Sequence, residues 1–193
     1  MKSVTVNLSS SLSRVLSAQA IARAFDQQFL PTQNTCLRGG AEEPLYEPAR
    51  DAHPAKIWFR EDYASSALHE AAHWCIAGPA RRLRRDYGYW YDPDGRSGDA
   101  QEAFMQVEAR PQALEWYFSK ASGVVFRLSL DNLDAPPDPR AQVVFASAVY
   151  TQAIALQTRG LPPRAQLFFR ALAEQGRSGL EPRKLKVCAG VFQ

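Results

Sequence analysis

Two of the chain's three histidines stand four residues apart, at the head of the run LHEAAHWCIAGPARRLRRDYGYWYDPDGR that occupies residues 68–96. On an α-helix, His69 and His73 project from one face, one turn apart. Two imidazoles so placed can point at a single cation about 2.1 Å away. Glu70 is offset by one residue, so it flanks the pair and can reach a molecule bound to the ion. This is the H-E-x-x-H arrangement. The plainer reading makes both histidines hydrogen-bonded core or surface residues. Against it, Leu68, Ala71, Ala72 and Trp74 are small or apolar and imply a largely buried helix. Two imidazoles and a carboxylate buried together are costly unless something satisfies them, and a metal ion satisfies all three.

Such a site needs a third protein ligand. The downstream candidates are Asp99, Glu102, Glu108 and Glu115, with His53 upstream. Glu108 is favoured because it lies in VEARPQALEW, whose apolar flanks imply burial, and a buried glutamate is rarely left without a partner. Its alternative reading is a salt bridge to one of the many arginines. Asp99 and Glu102 read as an exposed turn and a helix start, where acids suit the helix dipole. Ligand types alone leave the chemistry open. Two histidines and a glutamate on zinc, with a second glutamate as base, describe a metallopeptidase. The same three ligands around Fe(II) form a facial triad with positions open for oxygen.

The elements that must hold these residues are legible in part. At 193 residues, with 46% hydrophobic and 22% charged residues, the chain fits one soluble domain over 1–193. Its core is expected at about 44–176, between N- and C-terminal extensions. The pattern predicts an α+β fold, helix-rich with a small antiparallel sheet, and the H-E-x-x-H motif on a buried helix.

Near the start, VTVNL is strand-like. SRVLSAQAIARAFDQQFL is helical, with Val15, Leu16, Ala20, Ile21, Ala24 and Phe25 at helical intervals. TQNTCLRGGAEEPLYEPARDAHP reads as loop, broken by Gly39-Gly40 and three prolines, and AKIWFR as a strand. The motif helix is expected from about Asp62 to Ala77, capped by Asp62 or Ser65 and stopped by Gly78-Pro79. RRDYGYWYDP and VVFRLSLDN are strand-like, and Asp131-Asn132 reads as a turn. AQEAFMQVEARPQALEWYFSKASG is helical, with Pro111 kinking it or opening a new helix. AQVVFASAVYTQAIALQTRG and PPRAQLFFRALAEQG are two further helices.

Three cysteines, Cys36, Cys75 and Cys188, are odd in number and lack a C-x-x-C pair. That argues against a disulfide framework or a thiolate zinc site and for a reducing compartment. The N-terminus has a basic start, but Arg14 and its serines interrupt any signal-peptide core. No run approaches the roughly 18 apolar residues of a membrane span, so the expected location is cytoplasmic, without a membrane partner. The net charge of +3 concentrates in Arg81, Arg82, Arg84 and Arg85. Such a cluster is a solvated face or a guide for an acidic partner. No nucleic-acid motif accompanies it, and no direct nucleic-acid contact is expected.

The longer run closely resembles the elongation factor P hydroxylase family. That family follows H-E-x-x-H with W-C-I-A-G, an arginine pair, a G-Y-W-Y-x-P-D-G-R block and V-E-x-x-P-Q-A-L. Here these are His69 to His73, Trp74 to Gly78, Arg81-Arg82, Gly88 to Tyr91, Pro93 to Arg96 and Val107 to Leu114. The resemblance covers roughly residues 44–140.

It implies a monooxygenase that hydroxylates the lysine of elongation factor P already carrying a β-lysyl group. It also implies His69, His73 and Glu108 as metal ligands, with Fe(II) and O2 as the reagents. Glu70 becomes an outer-sphere hydrogen-bond partner, a proton relay or a direct ligand. There is no H-x-D motif, and 2-oxoglutarate is not expected. In this light Tyr89, Trp90 and Tyr91 are a wall that desolvates a lysine side chain. Arg81 and Arg82 are contacts to an acidic protein substrate.

Overall fold

A computed structural model describes residues 14–85, 98–130 and 139–192. Among them the chain forms five α-helices, a three-stranded sheet and three short 3-10 turns. Helix α1, Ala18–Gln33, starts where Ser17 accepts the Ala20 N–H on its side chain. It buries Ile21, Ala24, Phe25 and Phe29, at helical spacing, and leaves Val15 exposed just before it.

The sheet comes next, as β1 (Thr35–Ala41), β2 (Leu45–Glu47) and β3 (Ala55–Arg60). Its order is β1-β3-β2. β1 runs parallel to β3 and β2 antiparallel to it. The small sheet of the expected helix-rich α+β fold is therefore mixed, and its antiparallel half is the β2–β3 pair.

β1 and β2 fall in the stretch read as loop, and that reading is corrected. The glycines mark a distorted strand there. A Cβ on Gly39 would meet the Glu61 carbonyl and the Phe59 ring at 2.7 Å, and Gly40 takes φ +92°. The β1–β3 register shifts between Arg38 and Ala41 at the same point, which is what glycine permits inside a bulged strand. β3 lies where AKIWFR predicts it. Its Ile57 and Phe59 face the core, while Lys56 and Trp58 face outward.

Helix α2, Ala64–Ile76, carries the H-E-x-x-H motif. Its N-cap is Tyr63, which makes no side-chain cap bond, so neither Asp62 nor Ser65 caps it. Helix α3, Gly98–Ser122, follows, and Pro111 lies inside it as one continuous element. α3 is the centre of the molecule: every residue from Pro111 to Ser119 is buried.

Residues 124–130, predicted as a strand, form none. The Ser129 backbone is instead paired with a side chain, its N–H donating to Gln112 Oε1 at 3.1 Å and its carbonyl accepting from Gln112 Nε2 at 2.7 Å. Helices α4, Pro139–Arg159, and α5, Pro163–Gln175, stand where the sequence places them and pack on α3. Tyr117 Oη–H bonds the Ala153 carbonyl at 3.0 Å, tying α3 to α4. Among the described residues no helix is long and apolar enough to cross a membrane. VTVNL, the aromatic block Tyr87 to Tyr91 and Asp131-Asn132 lie outside the described residues.

Candidate metal centre

α2 presents two faces to two neighbours, and its sequence sets which residue goes where. Each residue turns a helix by about 100°, so Trp74 points away from His73. The Trp74 ring packs against Phe25 and Phe29 of α1, with centroids 5.0 and 4.8 Å away. That anchoring leaves His69 and His73 to face α3.

The two imidazoles meet there, His69 Nε2 lying 3.0 Å from His73 Nε2. From α3, Glu108 places Oε2 at 3.6 Å from His69 Nε2 and Oε1 at 3.5 Å from His73 Nε2. Donors about 2.1 Å from a common ion lie about 3.0 Å apart at right angles and about 3.4 Å apart at tetrahedral angles. The observed separations fit one ion held by all three residues. Among the described residues they are the group whose donor atoms converge, all within 4.8 Å of one another. The Glu108 side chain is fully buried, while the His69 and His73 side chains keep 16% and 13% exposure. The centre therefore opens on its imidazole side.

The other acids fall in different places. Glu115, a candidate ligand by sequence, stands behind the centre, where its Oε2 accepts the His69 Nδ1–H at 2.8 Å. It orients the ring instead of completing the set. A carboxylate in this position fixes the tautomer and raises ligand basicity. Asp99 and Glu102 belong to the first turns of α3. His53 lies in the turn before β3 and lines a separate pocket. Glu70 is buried and lies outside the converging trio. It lines a cleft beside His73, with Tyr46, Ile57, Trp74, Arg81 and Arg82. Tyr89, Trp90 and Tyr91 lie outside the described residues.

Three carboxylates, Glu115, Glu108 and Glu70, act on the charge of His69. Burial alone lowers the pKa of His69. The hydrogen bond and charge of Glu115, with the charges of Glu108 and Glu70, outweigh it and push the value up to about 10. Burial, the charge on His69 and that of Arg81 hold His73 well below the ordinary histidine value. His69 therefore carries a proton on each ring nitrogen, Nδ1–H directed at Glu115 and Nε2–H at His73 Nε2.

Sequence reasoning missed Arg164. Its Nη2 donates to the carbonyls of Trp74, Cys75 and Ala77 at 2.9, 3.1 and 2.5 Å, and its guanidinium lies 4.7 Å from the centroid of the Trp74 ring. It closes the C-terminal end of the histidine helix from α5. The role of Glu115 had a visible signal: Glu108, Gln112, Glu115, Ser119 and Ser122 recur every three or four residues and are all buried. That is a polar stripe on one face of an otherwise apolar helix.

A helix-borne pair of histidines with a distant carboxylate matches the ligand set of 2-His-1-carboxylate metal sites. Comparison narrows the class. Residues 24–181 match the family model described as elongation factor P hydroxylase. A relative in Haemophilus influenzae, an elongation factor P lysine hydroxylase, is 45% identical over 153 residues, which is 79% of this chain and 85% of the relative. The chain belongs to the elongation factor P hydroxylase family.

Proposed function

We propose that this enzyme hydroxylates the β-lysyl-modified lysine of elongation factor P, using Fe(II) held by His69, His73 and Glu108 and O2 as cosubstrate. The relative's activity on an elongation factor P lysine supports the substrate. The observation that carries the chemistry is the convergence of two imidazole nitrogens and one buried carboxylate on a single point. Fe(II) in such a triad supplies the electron chemistry by which O2 attacks an unactivated C–H bond. One oxygen atom enters the C–H bond, and the other leaves as water, at the cost of two electrons and two protons from a reductant.

The chain's own residues do the rest. Glu115 keeps His69 Nε2 aimed at the centre through the Nδ1–H bond. Glu70 acts from the outer sphere, in the cleft beside His73, where its carboxylate meets the cationic arm of the modified lysine and can pass a proton. Trp74 and Tyr46 give that cleft aromatic walls, which strip water from the aliphatic part of the arm. The exposed Arg81 and half-buried Arg82 at its rim contact an acidic surface of the substrate protein, and the block Tyr89, Trp90 and Tyr91 adds to the lysine's wall. The reaction belongs in the cytoplasm, where translation factors are made and modified.

The test is the intact mass of β-lysylated elongation factor P after incubation with this protein, Fe(II) and a reductant, with and without air. The account expects a gain of one oxygen atom in air and none without it. Cleavage of the substrate by the zinc-loaded protein, with no oxygen gain under any condition, would establish a metallopeptidase instead.

A further inference from the structure

A second pocket, of about 210 Å³, lies on the outward side of the sheet and takes no part in the metal centre. Glu47 of β2, Arg50 and His53 of the following turn, Lys56 of β3 and Arg85 define it. The turn is rigid. The Arg50 N–H donates to the His53 carbonyl at 3.2 Å, and the His53 N–H to the Arg50 carbonyl at 2.8 Å. Pro48 and Pro54, both in the pocket wall, fix the backbone on either side. The backbone of the turn has little freedom left to lose when a ligand arrives.

The charge in this pocket is unbalanced. Among the described residues, the cations Arg50, Lys56 and Arg85 line the pocket beside the carboxylate of Glu47. That carboxylate is already engaged: Oε2 accepts the Trp58 Nε1–H at 2.9 Å, and Oε1 lies 3.7 Å from Arg85 Nη2. Among the described residues neither Arg50 nor Lys56 has an ion-pair partner, and Lys56 rests over the Trp58 ring at 5.6 Å. Two cations without a described ion-pair partner, Arg50 and Lys56, held in one pocket attract an anion. The volume is below the roughly 300–1,000 Å³ of small-molecule sites and suits the end of one acidic side chain.

Position says whose side chain it is. Glu47 and Lys56 are cross-strand partners, and the next pair along, Tyr46 and Ile57, lines the cleft beside His73. Successive strand residues point to opposite faces, so pocket and cleft lie back to back at the edge strand β2, and a protein reaching round that edge meets both. Arg85 and Arg82 join them along the following segment.

We infer that this pocket is a docking subsite for an acidic side chain of the protein that presents its lysine to the metal centre. The inference rests on the function proposed above, and its test separates the two. The double variant Arg50→Ala/Lys56→Ala is compared with the unaltered enzyme, both loaded with Fe(II). With elongation factor P, KM is expected to rise about tenfold, while kcat and metal stoichiometry stay unchanged.

In parallel, calorimetric titration at low salt uses a glutamate-rich peptide and a single-stranded RNA of equal charge. The peptide is expected to bind the unaltered enzyme and to lose that binding in the double variant. Equal KM values overturn the inference. So does peptide binding that survives the double substitution, or RNA binding that is tighter than the peptide's and depends on the same two residues. If the unaltered enzyme leaves elongation factor P unmodified, the proposed function falls, and the peptide titration alone then decides the pocket.

Discussion

His69 uses both of its ring nitrogens, and that divides the labour at the centre. Nε2 faces His73 and Glu108 while Nδ1–H is held by Glu115 at 2.8 Å. Removing this outer partner with Glu115→Ala is expected to weaken metal binding roughly 10–100-fold and leave cooperative unfolding in place. Anaerobic metal titration beside a thermal melt checks both halves, and unchanged affinity would contradict the orienting role. The shared proton makes a second prediction. A metal must displace the proton that Glu115, Glu108 and Glu70 favour on His69, whose pKa stands at about 10. Uptake therefore releases a proton, and affinity rises with pH through the neutral range and falls on acidification. Titration in buffers of different ionisation enthalpy reports the proton count; affinity that is flat with pH would contradict it. The histidine pair and Glu108 are legible from the motif and from the apolar flanks of Glu108. The buried polar stripe puts Glu115 on the face of Glu108 but leaves ligand and support equally open, because an acid seven residues further along the same helix serves as either.

Helix α2 is held in register by what closes its ends and flanks, and Arg164 is the most economical of these devices. A single nitrogen serves three carbonyls at the end of the helix. Arg164→Ala leaves those acceptors without it and is expected to cost about 1–3 kcal/mol in urea unfolding. Arg164→Lys should restore only part of that, since an ammonium cannot reproduce the planar fork that also stacks on Trp74. Full stability in the alanine variant would contradict the closing role. Nothing in the sequence marks this arginine, which reaches α2 from ninety residues further along the chain. The helices were legible because each carries an apolar face at helical spacing, as Ile21, Ala24, Phe25 and Phe29 do in α1. β1 and β2 were not, because Gly39, Gly40 and Pro44 read as breakers. Gly39 is in fact what lets β1 pass within reach of Glu61 and Phe59. The stretch 124–130 misled in the opposite direction: its β-branched residues suggested a strand, and the side chain of Gln112 supplies the backbone partner a neighbouring strand would have given.

Helix α3 packs against α2, α4 and α5, and the sheet against α1 and α2, so reactivity should follow burial. Cys36 and Cys75 are buried and Cys188 is exposed, and burial pushes the thiols of Cys36 and Cys75 up, away from the reactive thiolate. A thiol reagent should find one fast group in the native protein and three after denaturation, consistent with a chain that needs no disulfide. Two or more fast thiols in the native state would contradict the packing of α2 and β1. Arg50 and Lys56, which have no ion-pair partner among the described residues, lie at the edge of the sheet, where the proposed docking of the protein substrate is expected. The claim beneath all of this is that elements remote in sequence close three side chains on one ion. Anaerobic titration of Fe(II) into the purified protein and into its Glu108→Ala variant tests that most directly. The account predicts one equivalent bound by the unaltered protein and none by the variant, with both folded; one equivalent bound as tightly by the variant would contradict it.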